Sequence, residues 1–489
     1  MSSLRGRGLS VWVLGEKVQE FADHPVITPS INAMAETYRL AETDPELATV
    51  HSKLTGSRVH RFAHVCESVE DVVAQSRMQR RLGQLTGTCF QRCVGMDAIN
   101  AGYTTTFRID SAHGTAYHDR FKEFIAHVQS YNLVVGGAMT DPKGDRSRGP
   151  SAQDDPDMFV RIVDRRDGGI VLRGAKTHQT GSLNAHWLVV MPGQRLSDKD
   201  AAYAVSAAVP VDDPKLTYVL GRQSCDTRSL EGDVDVGNAR YGGQEVTIVF
   251  DDVWIPDSRV FMDGEYEFAA DLVERFTAYH RRSYVCKAGV GDVLVGAAAE
   301  IAAMNGVDRA SHVKDKLVES TFLNETIFGT GFAASMAAKP TPAGNYEPDT
   351  LLANVCKHHV TKLPYEIARL AQDLAGGLVA TMPSDADFEN DQVGPVLKKY
   401  LKAAPGVHPD DRRRILRLVE NMTMGRNAVG YLAESMHGAG SPAAQRVVIN
   451  KLAQFAEKRA FARRLAGCSA CPQSPSSTWT SPPPPPPRN

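Results

Sequence analysis

No apolar run in this 489-residue chain is long enough to span a bilayer, and its 55 Lys and Arg are evenly mixed with its 57 Asp and Glu. A net charge of −2 therefore offers no basic face to nucleic acid and no polybasic run to a membrane surface. Cysteine is scarce: 8 residues are too few to frame a disulfide-stapled secreted protein of this length. The opening MSSLRGRGLSVWVLGEKV has no long apolar core followed by a small-residue cleavage site. No secretory leader is expected, and the cytoplasm is the expected compartment. Internal repeats are missing, and so is a GxGxxG after a first strand, so any dinucleotide is expected to bind in a non-Rossmann manner. The composition, 42% apolar and 23% charged, is that of an ordinary globular protein with room for two or three domains.

The chain changes character twice. Residues 1–135 read as mostly helical. Within 136–270, FVRIVD and GIVLRGAK flank Asp167-Gly168, a hairpin signal. HWLVVM, AYAVSAAV, LTYVL and EVTIVFDDVWIP follow at strand-and-turn spacing. From 271 to 467 the helical period returns: Leu352, Val355, His359, Leu363, Ile367, Leu370 and Leu374 share one face, with Pro364 expected to kink or break the helix. Ile415, Val419 and Met422 mark another helix. Residues 468–489, rich in Pro and Ser, are expected to be an extended, unpacked tail. Helical, then β, then helical predicts an α+β fold similar to the acyl-CoA dehydrogenase architecture. That layout has an N-terminal helical domain, a central β-barrel domain and a C-terminal helical bundle. The similarity concerns fold and assigns no chemistry.

Chemistry enters with cysteine and histidine. Cys66, Cys225 and Cys356 stand alone and read as small buried apolar residues, while Cys468 and Cys471 form a CxxC in the tail. In TGTCFQRCVGMDA, Cys89 and Cys93 are four apart, so on a helix both sulfurs would leave one face, one turn apart. Such a pair suits two ligands of one metal centre or two core cysteines. Gln91, Arg92 and Asp97 interrupt any simple apolar stripe, and spacing alone leaves the two readings even. AYHRRSYVCKAGVGD places His280, Tyr284, Cys286 and Lys287 within eight residues. His and Cys bind iron or zinc, and Tyr and Lys add acid–base groups beside them. A single His is more often a satisfied polar residue than a ligand. Two metal-type pairs in one chain favour a shell of three cysteines and one histidine.

Several motifs together carry a resemblance: CFQRCVGMDA, MTDPKGDRS (139–147), KTHQTGSLNAH (176–186), HRRSY with CK and GVGD, and ENMTMGRNAVGYLAESMHGAGSP (420–442), with DHPVITPS and AQDLAGGL. From about residue 3 to about residue 467 the chain resembles the 4-hydroxybutyryl-CoA dehydratases. The resemblance implies a [4Fe-4S] cluster held by Cys89, Cys93, His280 and Cys286, with FAD beside it. It implies dehydration of 4-hydroxybutyryl-CoA to crotonyl-CoA by a flavin-mediated radical route with the cluster as Lewis acid, and vinylacetyl-CoA isomerisation as a side activity. His280 is implied as the base at the β-position and Glu434 as a positioning or acid–base carboxylate. Tyr284 would stabilise charge near the leaving hydroxyl, and Lys287 would tune the site electrostatically. Glu245, Thr180 and Gln91 stand in matching motifs. By position alone, Glu245 could equally be a surface carboxylate and Glu434 a last-turn helix charge.

For the flavin, the resemblance implies Met139, Thr140, Lys143, Arg146, Gln179 and Thr180, with Gln372, Gly376 and Gly377 reaching it from a neighbouring subunit of a homotetramer. The interval from His280 to Cys286 is one residue shorter than the family's. On an unbroken helix this would turn Cys286 by about 100°, a change that Gly289 and Gly291 are expected to help absorb. Two other readings compete: a flavin-dependent aromatic monooxygenase of the 4-hydroxyphenylacetate hydroxylase type, which has no task for the cysteines, and a zinc-binding structural protein, which has none for the flavin-like loops.

Overall fold

The computed structural model describes residues 2–222 and 233–468; Cys225, Cys471 and nearly all of the expected tail lie outside them. The middle of the chain makes two sheets. The larger runs, in spatial order, Glu16–Val18, Ser10–Val13, Leu216–Leu220, Glu245–Pro256, Gly169–Thr180 and Arg161–Arg166. All its pairs are antiparallel except Ser10–Val13 with Leu216–Leu220. The smaller runs Val260–Asp263, Val205–Pro210, Trp187–Val190 and Val135–Ala138, its last pair parallel. The strands expected to form a central barrel thus divide between two sheets. Asp167 and Gly168 both have positive φ, 56° and 70°, the primed turn whose twist matches that of the strands it joins.

Strand Glu245–Pro256 shows how pattern and geometry agree. Val246, Ile248 and Phe250 are buried at even positions, then Val253 and Ile255 at odd ones. The switch falls on a bulge between Phe250 and Val253, where Asp252 is left-handed at φ 58°. One extra residue there keeps every apolar side chain on the core face.

The first 135 residues hold the helices Thr28–Thr43, Val69–Thr86, Cys93–His113 and Tyr117–Ser130. They also hold strands that the helical reading passed over: Ser10–Val13 and Glu16–Val18 extend the larger sheet, and Thr49–Ser52 pairs with Ser57–His60. After the sheets come Ala269–Ser283, Cys286–Met304, Ser311–Met336, Thr350–Val360, Leu363–Ala375 and Pro409–Thr423. The helix expected to be disturbed at Pro364 is two helices, with Pro364 in the first turn of Leu363–Ala375, where its missing N–H has no intrahelical duty. Val419 and Met422 are buried from Pro409–Thr423 with Ile415 half-buried beside them. Among the described residues no helix is long and apolar enough to cross a membrane.

Two helices distant in sequence are pressed together where the functional residues meet. A Cβ placed on Gly289 would stand 2.0 Å from the carbonyl oxygen of Arg80, and one on Gly83 would stand 2.6 Å from that of Cys286. Helices Val69–Thr86 and Cys286–Met304 therefore touch backbone to backbone. Gly289→Ala is expected to cost about 1–3 kcal/mol, the usual range for overpacking a tight contact, and to lower the thermal midpoint by several degrees. Gly296→Ala, on the same helix, is the control: its Cβ meets nothing within 4 Å, so its thermal midpoint should not fall.

Candidate functional site

Cys89 and Cys93 do not share a helix, which corrects the expectation drawn from their spacing. Residues 87–92 form a loop in which Gln91 is left-handed at φ 66°, a conformation that cannot continue a helix. Cys93 then opens Cys93–His113. The loop is fixed from both sides: Thr88 Oγ1 donates to Asn427 Oδ1 (2.8 Å), and Gln91 Nε2 donates to the carbonyls of Cys89 (3.2 Å) and Gly242 (2.9 Å). Asn184 Nδ2 donates to Gln91 Oε1 (3.3 Å), so the Gln91 amide is committed to holding this turn.

Cys286 also opens a helix, and it does so because Ala269–Ser283 ends at Tyr284 and Val285. The short interval from His280 to Cys286 is therefore not measured along one helix, and the rotation feared for an unbroken one does not arise. The break falls at Tyr284 and Val285, whereas Gly289 and Gly291 lie inside the next helix. Both Cys93 and Cys286 stand at a helix N-terminus, but they differ: burial and then Cys286 push the Cys93 thiol well up, whereas the hydrogen bond from Cys93 holds Cys286 below the ordinary thiol value. They lie in hydrogen-bonding contact with each other, and Gln79 Nε2 donates to Cys93 Sγ (3.1 Å). Cys89 is within the electrostatic reach of Glu434, Lys287 and Cys286. Cys66 and Cys356 are also fully buried, their thiols pushed up to about 12 first by burial, and Cys286 acts on Cys356 as well.

His280, in the last turn of Ala269–Ser283, places Nδ1 2.7 Å from Asp97 Oδ2. Asp97 is fully buried; its other oxygen accepts from Ser283 Oγ (2.9 Å) and lies 3.9 Å from the Arg282 guanidinium. With Nδ1 so engaged, Nε2 is the nitrogen left for a ligand. Asp97 escaped the sequence reading, where it appeared only as a break in an apolar stripe. A carboxylate on the buried face of a helix was the available signal. Among the described residues no group of three or more His, Cys, Asp or Glu forms a ready-made site for a metal ion. As a donor set, three thiols that act on one another, with Asp97 joining Cys93 and Cys286 to the imidazole that it orients, have the chemistry of iron–sulfur ligation.

Beside the cysteines sits a carboxyl pair. A π-helical turn, Val429–Ala433, precedes Glu434 and frees the Gly430 carbonyl to accept from Lys287 Nζ (2.5 Å). The same ammonium donates to Glu434 Oε2 (3.1 Å). Thr180 Oγ1 lies 2.8 Å from each oxygen of Glu245, and Glu245 and Glu434 are hydrogen-bonded to one another. Burial, and then the charge of Glu434, push the Glu245 carboxyl well above the carboxylate range. Burial also acts to raise Glu434, but Lys287 and hydrogen bonds from Glu245, Lys287 and Cys89 outweigh it and hold Glu434 low. Of the two, Glu245 is the group pushed up and Glu434 the group held down. Neither is a surface or last-turn charge. Tyr284 completes the group, its hydroxyl donating to the Glu434 backbone carbonyl (3.3 Å) and its ring centroid 5.6 Å from Lys287 Nζ.

The 139–146 loop is tied to the strand that ends in Thr180. The Thr140 carbonyl accepts from Thr177 N (2.8 Å) and Gln179 Nε2 (3.2 Å). Buried Lys176 Nζ donates to the carbonyls of Met139 (3.0 Å) and Met191 (2.8 Å) and to Asp141 Oδ1 (2.6 Å). Met139, Thr140, Gln179 and Thr180 are thereby brought together next to Glu245, with Lys143 and Arg146 exposed on the same loop. Gln372, Gly376 and Gly377 are not brought to that loop: Gln372 donates to Thr423 Oγ1 (3.0 Å), and its helix packs on other helices of the bundle.

The chain matches the 4-hydroxyphenylacetate 3-hydroxylase family along nearly its whole length, the N-terminal pattern over residues 1–262 and the C-terminal one over 269–467. It is 52% identical to the 4-hydroxybutyryl-CoA dehydratase/vinylacetyl-CoA-Δ-isomerase of Clostridium aminobutyricum, over 96% of this chain and 98% of that protein. An oxygen-tolerant archaeal 4-hydroxybutyryl-CoA dehydratase from N. maritimus superposes with a TM-score of 0.95 at 60% identity, covering 97% of this chain and 95% of that one. The fold is shared more widely. The oxygenase component of a 4-hydroxyphenylacetate 3-monooxygenase, complexed with FAD, gives 0.83 at 22% identity over 95% and 98% of the two chains. A glutaryl-coenzyme A dehydrogenase gives 0.51 at 12% identity over 90% and 87%, which makes the architecture acyl-CoA dehydrogenase-like.

Proposed function

The chain belongs to the 4-hydroxyphenylacetate 3-hydroxylase family, and from that premise we propose that it dehydrates 4-hydroxybutyryl-CoA to crotonyl-CoA and isomerises vinylacetyl-CoA at the same site, instead of hydroxylating an aromatic ring. The likeness to the clostridial and archaeal dehydratases supports this reading. The observation that carries it is that Cys89, Cys93 and Cys286 act on one another, and that Asp97, which orients His280, acts on both Cys93 and Cys286. A ring hydroxylase has no work for that set.

Cys89, Cys93, Cys286 and His280 Nε2 would hold a [4Fe-4S] cluster. Met139, Thr140, Lys143, Arg146, Gln179 and Thr180 would hold FAD, the flavin bound in a solved structure of the same fold. Gln372, Gly376 and Gly377, which stand in the bundle, would meet the flavin of a neighbouring copy in a homotetramer. When bound, these groups supply one-electron chemistry beside the substrate and a Lewis acid for its leaving hydroxyl. The chain's own residues do the rest. Glu434, held ionised, is ready to take a proton, and Glu245, held protonated, is ready to return one. His280 would serve as base at the β-position only once its Nε2 is released from iron, with Asp97, bonded to Nδ1, stabilising the imidazolium that results. Tyr284 offers a hydroxyl, and Lys287 offsets negative charge as it develops.

The deciding experiment is purification without oxygen, followed by iron, acid-labile sulfide and flavin analysis and assay of crotonyl-CoA formation. Iron and sulfide in equal amounts with flavin and turnover are expected. Flavin without iron, or zinc in its place, would sink the dehydratase reading. Asp97→Asn tests the imidazole's support. Loss of a partner of this kind typically costs 10–100-fold in metal affinity or activity, so the variant should surrender iron to a chelator that the parent withstands.

A further inference from the structure

Lys357, on helix Thr350–Val360, is 0% exposed, and among the described residues no carboxylate pairs with it. Its Nζ donates to the Ser435 carbonyl (2.5 Å) and stands 4.4 Å from the centroid of the Tyr284 ring. The charges that act on it are mostly cationic, Lys287 and Arg281. Burying an ammonium without a counter-ion works against folding, so packing gives no reason for a lysine here. What it touches does give one. Ser435 follows Glu434 directly, and Tyr284 is the phenol that hydrogen-bonds the Glu434 carbonyl.

We propose that Lys357 is a positioning residue: its Nζ clamps the Ser435 carbonyl against the face of Tyr284 and so sets where the Tyr284 hydroxyl and the Glu434 carboxylate stand. The inference rests on the dehydratase reading for its catalytic consequence. The clamp needs a cation, because attraction to the ring face requires one.

The surroundings make that cation sensitive to pH. Arg281 faces it from Ala269–Ser283 and Lys287 from Cys286–Met304, with Tyr284 between those helices and Glu434 bonded to Lys287. Cys356 adjoins it on its own helix, where His358 feels Lys362 and, from Pro442–Leu452, Arg446. Helix Ser311–Met336 meets the same helix through the Ile327 carbonyl, near Cys356 Sγ. Burial first, then Lys287 and Arg281, push Lys357 down to about 7. It is an ammonium below that pH and neutral above it. The unfolded side chain titrates near about 10.4, so between these values the unfolded state holds more protons, and stability rises with pH.

The test uses wild type, K357M, K357Q and K357R, each purified without oxygen. Iron, flavin and thermal midpoint are expected to be retained in all four, with K357M no less stable than wild type at pH 6. For K357M and K357Q, kcat should fall about tenfold to a hundredfold, the scale of a misplaced catalytic group, with KM little changed. K357R should restore most of it. Wild-type kcat should decline as pH rises through about 7, and K357R should lose that decline. Near-ultraviolet tyrosine difference spectra between pH 6 and 8 read the clamp without turnover: a signal in wild type and none in K357M. An unchanged difference spectrum in K357M overturns the inference whatever the enzyme turns over, as does loss of iron or of fold in both neutral variants. A wild type that shows the signal but no dehydration overturns the dehydratase reading and leaves the clamp standing.

Discussion

Cys286→Ser is expected to strip the protein of most of its iron and to abolish dehydration while leaving the flavin in place. Cys286 touches Cys93, opens the helix pressed against Val69–Thr86, and is the second metal-type residue after His280. A serine hydroxyl fits the space but is a poor iron ligand at neutral pH. If the Lewis acid contributes several kcal/mol, its loss is worth about a thousandfold or more in kcat. Iron and sulfide per chain, the visible spectrum and crotonyl-CoA formation are the measurements. Cys356→Ser is the control, because Cys356 is a buried cysteine of a neighbouring helix that stands outside the proposed ligand set; it should cost little iron and little activity. Wild-type iron and turnover in Cys286→Ser would remove that residue from the ligand set.

Glu434→Gln is the second large effect, and its signature is different: iron stays and turnover goes. Removing a general base or acid costs about 10²–10⁴-fold, and here the carboxylate is also the partner of Lys287 and of Glu245. Its loss leaves a buried ammonium unpaired, a change worth about 3–5 kcal/mol in comparable pairs. The pH dependence follows in sign. Burial acts to lower Lys287, and the charge of Glu434 is the first of the groups that raise it. Without that charge, burial, the largest influence on Lys287, is expected to take its folded pKa below the unfolded value. The unfolded state then binds more protons, so the stability of Glu434→Gln should rise with pH. Thermal unfolding at pH 6 and pH 9 should show a smaller deficit at the higher pH. An equal deficit at both would mean that Glu434 is not what holds the Lys287 proton.

What was legible in the sequence was what is encoded locally. Asp167-Gly168 specifies its turn within two residues, Pro364 breaks a helix by its own ring, and the alternation in Glu245–Pro256 survives its bulge because the bulge serves that alternation. The strands Ser10–Val13 and Glu16–Val18 were not legible, being too short to show a period and dependent on a partner far along the chain. The division of the strands into two sheets is likewise a matter of distant pairings. At the site, the resemblance implied Cys89, Cys93, His280, Cys286 and Glu434, while spacing misplaced Cys89 on a helix. Nothing in the residue type of Gln91 announces a left-handed turn. Asp97 and Lys357 stayed hidden for another reason. An apolar period marks which face is buried but not which buried position carries a charge, and Asp97 meets His280 across 183 residues.

The parallel pairing of Ser10–Val13 with Leu216–Leu220 also bears on how the chain is born. The first strand leaves the ribosome roughly 200 residues ahead of its partner, an interval of about 10–40 s at ordinary elongation rates. Throughout it, Val11 and Val13, both buried in the finished sheet, have no sheet to enter. The antiparallel hairpin with Glu16–Val18 is the shelter available, and a lone two-stranded hairpin is marginal in water. Synthesis therefore carries a sticky leading segment for most of half a chain length, and slowed elongation before residue 220 should raise aggregation more than the same delay placed after it.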